Sequence, residues 1–328
     1  MARRTGQTRG LDTKARSPRL HQPFRALEAA LKVLERSGVG PSPDKLLALP
    51  VDQRKLFKQP FFARKPGDRT LVVYETRVNE RVGVRVYTRG STLPGSPAIL
   101  YIHGGGFVAG GPDDCDYITR GLASRTGFPV ISVDYRLAPE CPFPGALEDC
   151  ADALEWVVET RPEGIDPDRI AIAGDSAGGN LTAALAIKTR DSNGPKIAHQ
   201  TLIYPFTDGT LSSPDHDLHR RAFVDRATAQ RMVQLYAPNH PADEPLVSVL
   251  LAPDLSRLPP ALVITASHDT LRSDGLRYAE RLREAGVPVV QREFEGMPHA
   301  FLVMPRLCKE SDEAIALISR EISSALVD

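Results

Sequence analysis

Gly174-Asp175-Ser176-Ala177-Gly178 is a G-x-S-x-G pentapeptide lying directly after the apolar run Ile170–Ala173 and directly before the helix-like stretch Gly179–Thr189. That setting is the one a nucleophile elbow needs, a sharp strand-to-helix turn that lifts a serine above a sheet, with glycines where backbone must approach closely. A serine hydroxyl is a weak nucleophile until a base takes its proton, so an orienting carboxylate and a histidine should follow in that order. Asp269 stands just beyond the apolar run Ala261–Thr265, and His299 ends the turn-like Glu295–His299 after the strand Val289–Phe294. Attack on a carbonyl also builds an alkoxide, which needs hydrogen-bond donors fixed in advance. His103-Gly104-Gly105-Gly106 follows another apolar run, Ala98–Ile102. The amides of Gly105 and Gly106, unobstructed by side chains, and of Ala177 are the candidate donors, with His103 and Gly104 supporting the loop. The bare pentapeptide arises by chance in roughly one chain in ten of this length, so its weight comes from the three other features at strand ends.

A rival reading takes Gly104-x-Gly106-x-x-Ala109 as a relaxed dinucleotide-binding pattern, but Gly110-Gly111-Pro112-Asp113-Asp114 continues no helix and the serine would be left unexplained. The other histidines compete poorly as the base. His199 precedes a strand, His268 should point away from its neighbour Asp269, and His21, His216, His219 and His240 fall in the expected tail or cap. Asp215-His216-Asp217-Leu218-His219 has the composition of a metal site, yet with no second cluster it reads as a solvated loop. No metal or cofactor is expected.

These residues need a scaffold, and the periodicities supply one. Pairing of Thr70–Val78 with the alternating Val82, Val84 and Val86 across Asn79-Glu80 reads as a hairpin at a sheet edge. Beyond it, Ala98–Ile102, Pro129–Val133, Ile170–Ala173, Thr201–Tyr204, Ala261–Thr265 and Val289–Phe294 are short apolar runs typical of buried parallel strands. Helical patterns fill the gaps at Ala146–Thr160, Gly179–Thr189 and Ser273–Ala285, and a last helix runs through Leu317, Ile318, Ile322 and Leu326. The expected organisation is a disordered basic tail over 1–22, an N-terminal cap segment over 23–66 beginning with a helix through Phe24, Leu27, Leu31 and Leu34, and a catalytic domain over 67–328. A polar stretch at about 207–245 would form a cap insertion over the carboxyl ends of the strands, where ligands bind in such sheets.

Forty-one Lys plus Arg balance forty-one Asp plus Glu, so no global field favours nucleic acid or an anionic surface. No apolar run is long enough to span a membrane, and the first twenty residues contain no apolar segment of a signal peptide. Cys115, Cys141, Cys150 and Cys308 show no C-x-x-C spacing and read as reduced thiols, in keeping with a cytoplasmic protein.

From Thr70 onward the chain resembles the hormone-sensitive-lipase family of α/β-hydrolases, bacterial carboxylesterases and acetyl hydrolases with an H-G-G-G oxyanion motif. The resemblance rests on His103-Gly104-Gly105-Gly106-Phe107, Asp134-Tyr135-Arg136-Leu137-Ala138-Pro139-Glu140, Pro142-Phe143-Pro144, Gly174–Asn180 and Asp269-x-Leu271-Arg272. It implies an α/β-hydrolase fold: a mostly parallel eight-stranded sheet with helices on both faces and a helical cap. It also implies a catalytic triad of Ser176, Asp269 and His299, oxyanion donation by Gly105, Gly106 and Ala177, no cofactor, a small acyl-ester substrate with a short acyl chain, and a homodimer as one assembly. Arg136 and Glu140 are expected to form an ion pair that shapes the fold. Two positions depart from the family pattern: Ser273-Asp274-Gly275 replaces a segment with two acids, and Ala300 replaces the glycine after the histidine. The departures bear on the substrate, and deacetylation of one specialised metabolite is a narrower alternative. A non-catalytic receptor on the same fold should have lost a member of the triad, and all three are present.

Overall fold

Strands buried on both faces form wherever the apolar runs are continuous, because successive residues of a strand point to opposite sides. In Ser96–Ile102, Ala98, Leu100 and Ile102 pack into one core while Ile99 and Tyr101 pack into another on the far side of the sheet. Ile170 and Ile172 alternate with Ala171 and Ala173 in the same way. A computed structural model describes residues 19–27, 48–55, 70–90, 93–218 and 224–327. Most of the expected basic tail, most of the 23–66 cap segment including Leu31, Leu34 and Phe61-Phe62, and His219 lie outside the described residues.

Eight strands make one sheet: β1 (Val72–Arg77), β2 (Gly83–Thr88), β3 (Ser96–Ile102), β4 (Val130–Asp134), β5 (Ile165–Asp175), β6 (His199–Ile203), β7 (Ala261–His268) and β8 (Val289–Pro298), ordered β1-β2-β4-β3-β5-β6-β7-β8. The first two pairings, β1 with β2 and β2 with β4, are antiparallel, and every later one is parallel. Among the described residues, 22–27 are helical, and the helices that follow are, in chain order, α1 (Val51–Lys55), α2 (Asp116–Thr126), α3 (Gly145–Thr160), α4 (Ala177–Ser192), α5 (Asp215–Leu218), α6 (Arg226–Tyr236), α7 (Arg272–Glu284) and α8 (Glu310–Val327). One core lies under α3, α4 and α7, through residues such as Leu154, Leu181 and Tyr278. The other lies under α2 and α8, through Ile118, Leu122, Ile315 and Ile318. The layers match the expected arrangement, a mostly parallel eight-stranded sheet with helices on both faces. Among the described residues no helix is long and apolar enough to cross a membrane.

Three local features differ from the sequence expectation. Helix α2 has no counterpart in the periodicity reading because Gly121 interrupts it, yet that glycine is what lets α2 press against α8: a Cβ there would sit 2.9 Å from Ile315. Strand β5 begins at Ile165, five residues before the apolar run Ile170–Ala173 from which it was expected, and its pairing with β3 shifts register between Ser96 and Ala98. The expected Arg136–Glu140 ion pair is replaced by two others. Arg136 leaves the end of β4 facing the first turns of α3, where it grips the buried Asp149 with side-chain bonds of 2.7 to 3.0 Å. Glu140 lies within a turn closed by the Cys141 amide on the Leu137 carbonyl and meets Arg54 of α1 instead.

Candidate active site

Ser176 sits between β5 and α4 at φ 56°, ψ −118°, a left-handed conformation that costs a non-glycine residue of order 1–3 kcal/mol and persists only where its surroundings enforce it. Here its amide donates to the Ile203 carbonyl at the end of β6 (2.9 Å), and its own carbonyl accepts from Phe206 and Asn180. The flanking glycines are steric necessities: a Cβ on Gly178 would run into the Ile102 and His103 carbonyls, and one on Gly174 into the Gly178 carbonyl. Ala177 opens α4, so its amide has no acceptor inside the helix.

The expected acid and base arrive from the next parallel strands. Asp269 follows β7, is fully buried, and accepts the Leu271 amide on Oδ1 (2.9 Å). His299 follows β8, and only 3% of it is exposed. Its Nδ1 lies 2.7 Å from Asp269 Oδ2, and its Nε2 lies 2.9 Å from Ser176 Oγ. Because the carboxylate faces Nδ1, the proton belongs there, and the Nε2 lone pair is left pointing at the serine hydroxyl. Tyr204 packs edge-on against the imidazole at 4.9 Å between ring centroids.

Across the serine, the 103–110 loop leaves β3 through Gly105 (φ 122°), Gly106 (φ 62°) and Phe107 (φ 67°). Gly105 has no room for a side chain, since a Cβ would overlap the Ala109 carbonyl. Among the described residues, the loop and turn backbone bonds do not use the amides of Gly105, Gly106 or Ala177 as donors. Asp175, the residue before the serine, braces this loop: its Oδ1 accepts the Gly104 amide (3.0 Å) and the Tyr101 hydroxyl (2.9 Å). Sequence reasoning passed over it as the variable second position of the pentapeptide, although a carboxylate at a strand end beside a glycine loop was the available signal. Desolvation by burial raises its pKa.

His103 is buried beneath the loop, stacked on Tyr135 at 4.1 Å, with Nδ1 2.7 Å from the Gly104 carbonyl. Burial lowers its pKa to about 4, and burial lowers that of His199 on β6 to about 4 as well. An unfolded chain takes up these two protons near pH 6.5, whereas the folded protein refuses them until about pH 4. The stabilisation is therefore complete above pH 6.5 and is lost as the pH falls through that window, by about 3 kcal/mol per histidine. Thermal melts should show a steep drop in midpoint between pH 6.5 and 4. His199→Gln, remote from the serine, should flatten that drop; an unchanged slope in the variant would remove His199 from the account.

Above the serine lies a cavity of about 190 Å³, floored by the 103–110 glycine loop and walled by Phe206, Val224, Met232, Leu271 and Met304. Val224 and Met232 belong to the segment expected as a cap insertion, in which Asp225 caps α6 by accepting the Thr228 amide at 2.8 Å. Ala300, the position that departs from the family pattern, lines the same cavity at φ 60°, a backbone region that glycine adopts without steric cost.

In the stretch expected as a solvated loop, residues 215–218 form the short α5, with Asp217 exposed and Asp215 and His216 buried. Asp215 and His216 are buried where α5 folds onto the start of α7: Asp215 accepts the Ser273 amide (3.0 Å) and hydroxyl, and His216 Nε2 lies 3.4 Å from Asp274. Asp215 and His216 thus serve packing against α7, while the exposed Asp217 pairs with Arg226 of α6.

The chain belongs to the α/β hydrolase fold family, whose model matches residues 99–303. Within it, the chain is a carboxylic ester hydrolase of the hormone-sensitive-lipase branch. It is 40% identical over 267 residues to a carboxylesterase of Mycobacterium tuberculosis, NlhH, a match spanning 76% of this chain and 84% of that protein. Among solved structures it is similar to the ester hydrolase EH1AB1 from the Lake Arreo metagenome, complexed with a bipyridine phosphonate derivative (TM-score 0.85, 31% identity, covering 94% of this chain and 100% of that one). A hormone-sensitive lipase from a metagenome library is similar too (TM-score 0.81, 33% identity, 94% and 99% covered).

Proposed function

We propose that the protein hydrolyses short-chain acyl esters through an acyl-enzyme on Ser176. The observation that carries this reading is the unbroken relay from Asp269 through His299 to the Ser176 hydroxyl, with spacings of 2.7 and 2.9 Å. His299 Nε2 takes the serine proton as Oγ attacks the ester carbonyl. The imidazolium so formed is stabilised by Asp269 and then gives the proton to the departing alcohol. The amides of Gly105, Gly106 and Ala177 receive the tetrahedral oxyanion, and preorganised donors of this kind contribute about 10²–10³ each in rate. Water, deprotonated by the same histidine, releases the acid and restores the serine. The preference for short acyl groups follows from the size of the cavity, about 190 Å³, and its largely apolar wall.

A fluorophosphonate probe tests the nucleophile directly. Labelling should reach one equivalent, map to the peptide containing Ser176, and abolish hydrolysis of nitrophenyl acetate in step. Across a chain-length series of nitrophenyl esters, kcat/KM should be highest from acetyl to butanoyl and fall beyond. Hydrolysis that persists in fully labelled protein would refute the mechanism.

A further inference from the structure

Arg54 is fully buried, an unusual place for a guanidinium, and it comes from the short α1 in the N-terminal segment. Burying this charge is tolerable only where most of its donors are satisfied; Nε has no partner among the described residues, and both terminal nitrogens reach the outer side of the oxyanion loop and the adjacent 138–140 turn. Nη1 donates to the Val108 carbonyl (2.9 Å) and to the Ala138 carbonyl (2.8 Å), while Nη2 pairs with Glu140. The backbone carbonyl of Arg54 also accepts the Gly110 amide at 3.2 Å. Val108 and Gly110 flank Ala109, whose amide turns back to the Gly105 carbonyl at 3.1 Å, and the Ala138 amide holds the Phe107 carbonyl at 2.9 Å. The outer half of the turn that presents Gly105 and Gly106 is therefore pinned from residue 54, while Asp175 pins the inner end through Gly104.

We propose that Arg54 is a positioning residue of the oxyanion hole, through which the N-terminal segment fixes the catalytic loop; this rests on the reading of Gly105 and Gly106 as oxyanion donors. Arg54 touches no reacting atom. Its removal frees two carbonyls of the loop region and lets the donor amides drift from the oxyanion, so the loss falls on the transition state and spares ground-state ester binding.

The test uses the full chain with Arg54→Met and Glu140→Gln. Active sites are counted by fluorophosphonate titration, so that unfolded protein does not enter the rate. Expected for Arg54→Met is a fall in kcat per titrated site of about 10- to 100-fold with KM little changed. The inhibition constant of a trifluoromethyl ketone, which places an oxyanion in the hole, should weaken in parallel. Glu140→Gln keeps the guanidinium but loosens it, and should show the same pattern with a smaller amplitude. Wild-type kcat per site and wild-type ketone affinity in these variants would overturn the proposal, whatever happens to the melting temperature. If Arg54→Met does not fold, Glu140→Gln decides alone by the same criteria. A failure of the underlying reading would look different, because wild-type protein itself would then resist the probe.

Discussion

Ser176→Ala is expected to lower kcat on nitrophenyl acetate by about 10⁶-fold, leaving the residual rate that oxyanion donors and substrate binding supply on their own. The size of the loss follows from how completely the chemistry is routed through one oxygen. His299 Nε2 is 2.9 Å from Ser176 Oγ, and the imidazole is almost wholly buried, so the base is aimed at this one hydroxyl. The fold should survive the change. Alanine meets the same left-handed backbone as serine, and the amide and carbonyl bonds to Ile203, Asn180 and Phe206 do not involve the side chain. Thermal unfolding should therefore give a midpoint at or above that of the wild type, as removal of functional groups held under strain often does. Turnover within tenfold of wild type, measured on protein free of host esterases, would dismiss Ser176 as the nucleophile.

Asp269→Asn should cost about 10⁴-fold in kcat, with KM little altered. The substitution preserves shape, and Oδ1 can still accept the Leu271 amide. What changes is the group facing His299 Nδ1. An amide NH₂ in place of carboxylate Oδ2 donates where the carboxylate accepted, so the imidazole must carry its proton on Nε2, the nitrogen 2.9 Å from the serine. The base is then lost without any atom near the substrate being removed. Labelling by a fluorophosphonate also needs the deprotonated serine, so its rate should fall with kcat. Labelling at the wild-type rate would show that another group orients the histidine.

The strand ends that carry the proposed triad were legible because each stands after a short run of apolar residues bounded by turn residues, the pattern of a strand buried on both faces. Ile170–Ala173, Ala261–Thr265 and Val289–Phe294 each mark the strand from which Ser176, Asp269 and His299 emerge. Residues that support the loop by reaching across the fold were not legible. Nothing in Val51–Lys55 distinguishes Arg54 from any surface arginine, since its burial depends on Val108, Ala138 and Glu140, more than fifty positions away. The same limit explains Arg136. Glu140 is its near neighbour in sequence, but the true partner, Asp149, is set by how α3 docks against β4. Helix α2 was hidden for a local reason, since Gly121 weakens the helical pattern in order to allow close packing with α8.

The bond from the Ser176 amide to the Ile203 carbonyl ties the elbow to the strand beside it, while the acid and base come from the two strands beyond that. These contacts join residues widely separated along the chain, and such pairings are the slow ones to form during folding. A chain in which β6, β7 and β8 have not yet joined β5 has a serine without its base and without the strained turn that presents it. On refolding, ester hydrolysis is therefore expected to return only after the carboxyl-terminal half of the sheet is complete, later than the recovery of helical circular dichroism followed in parallel.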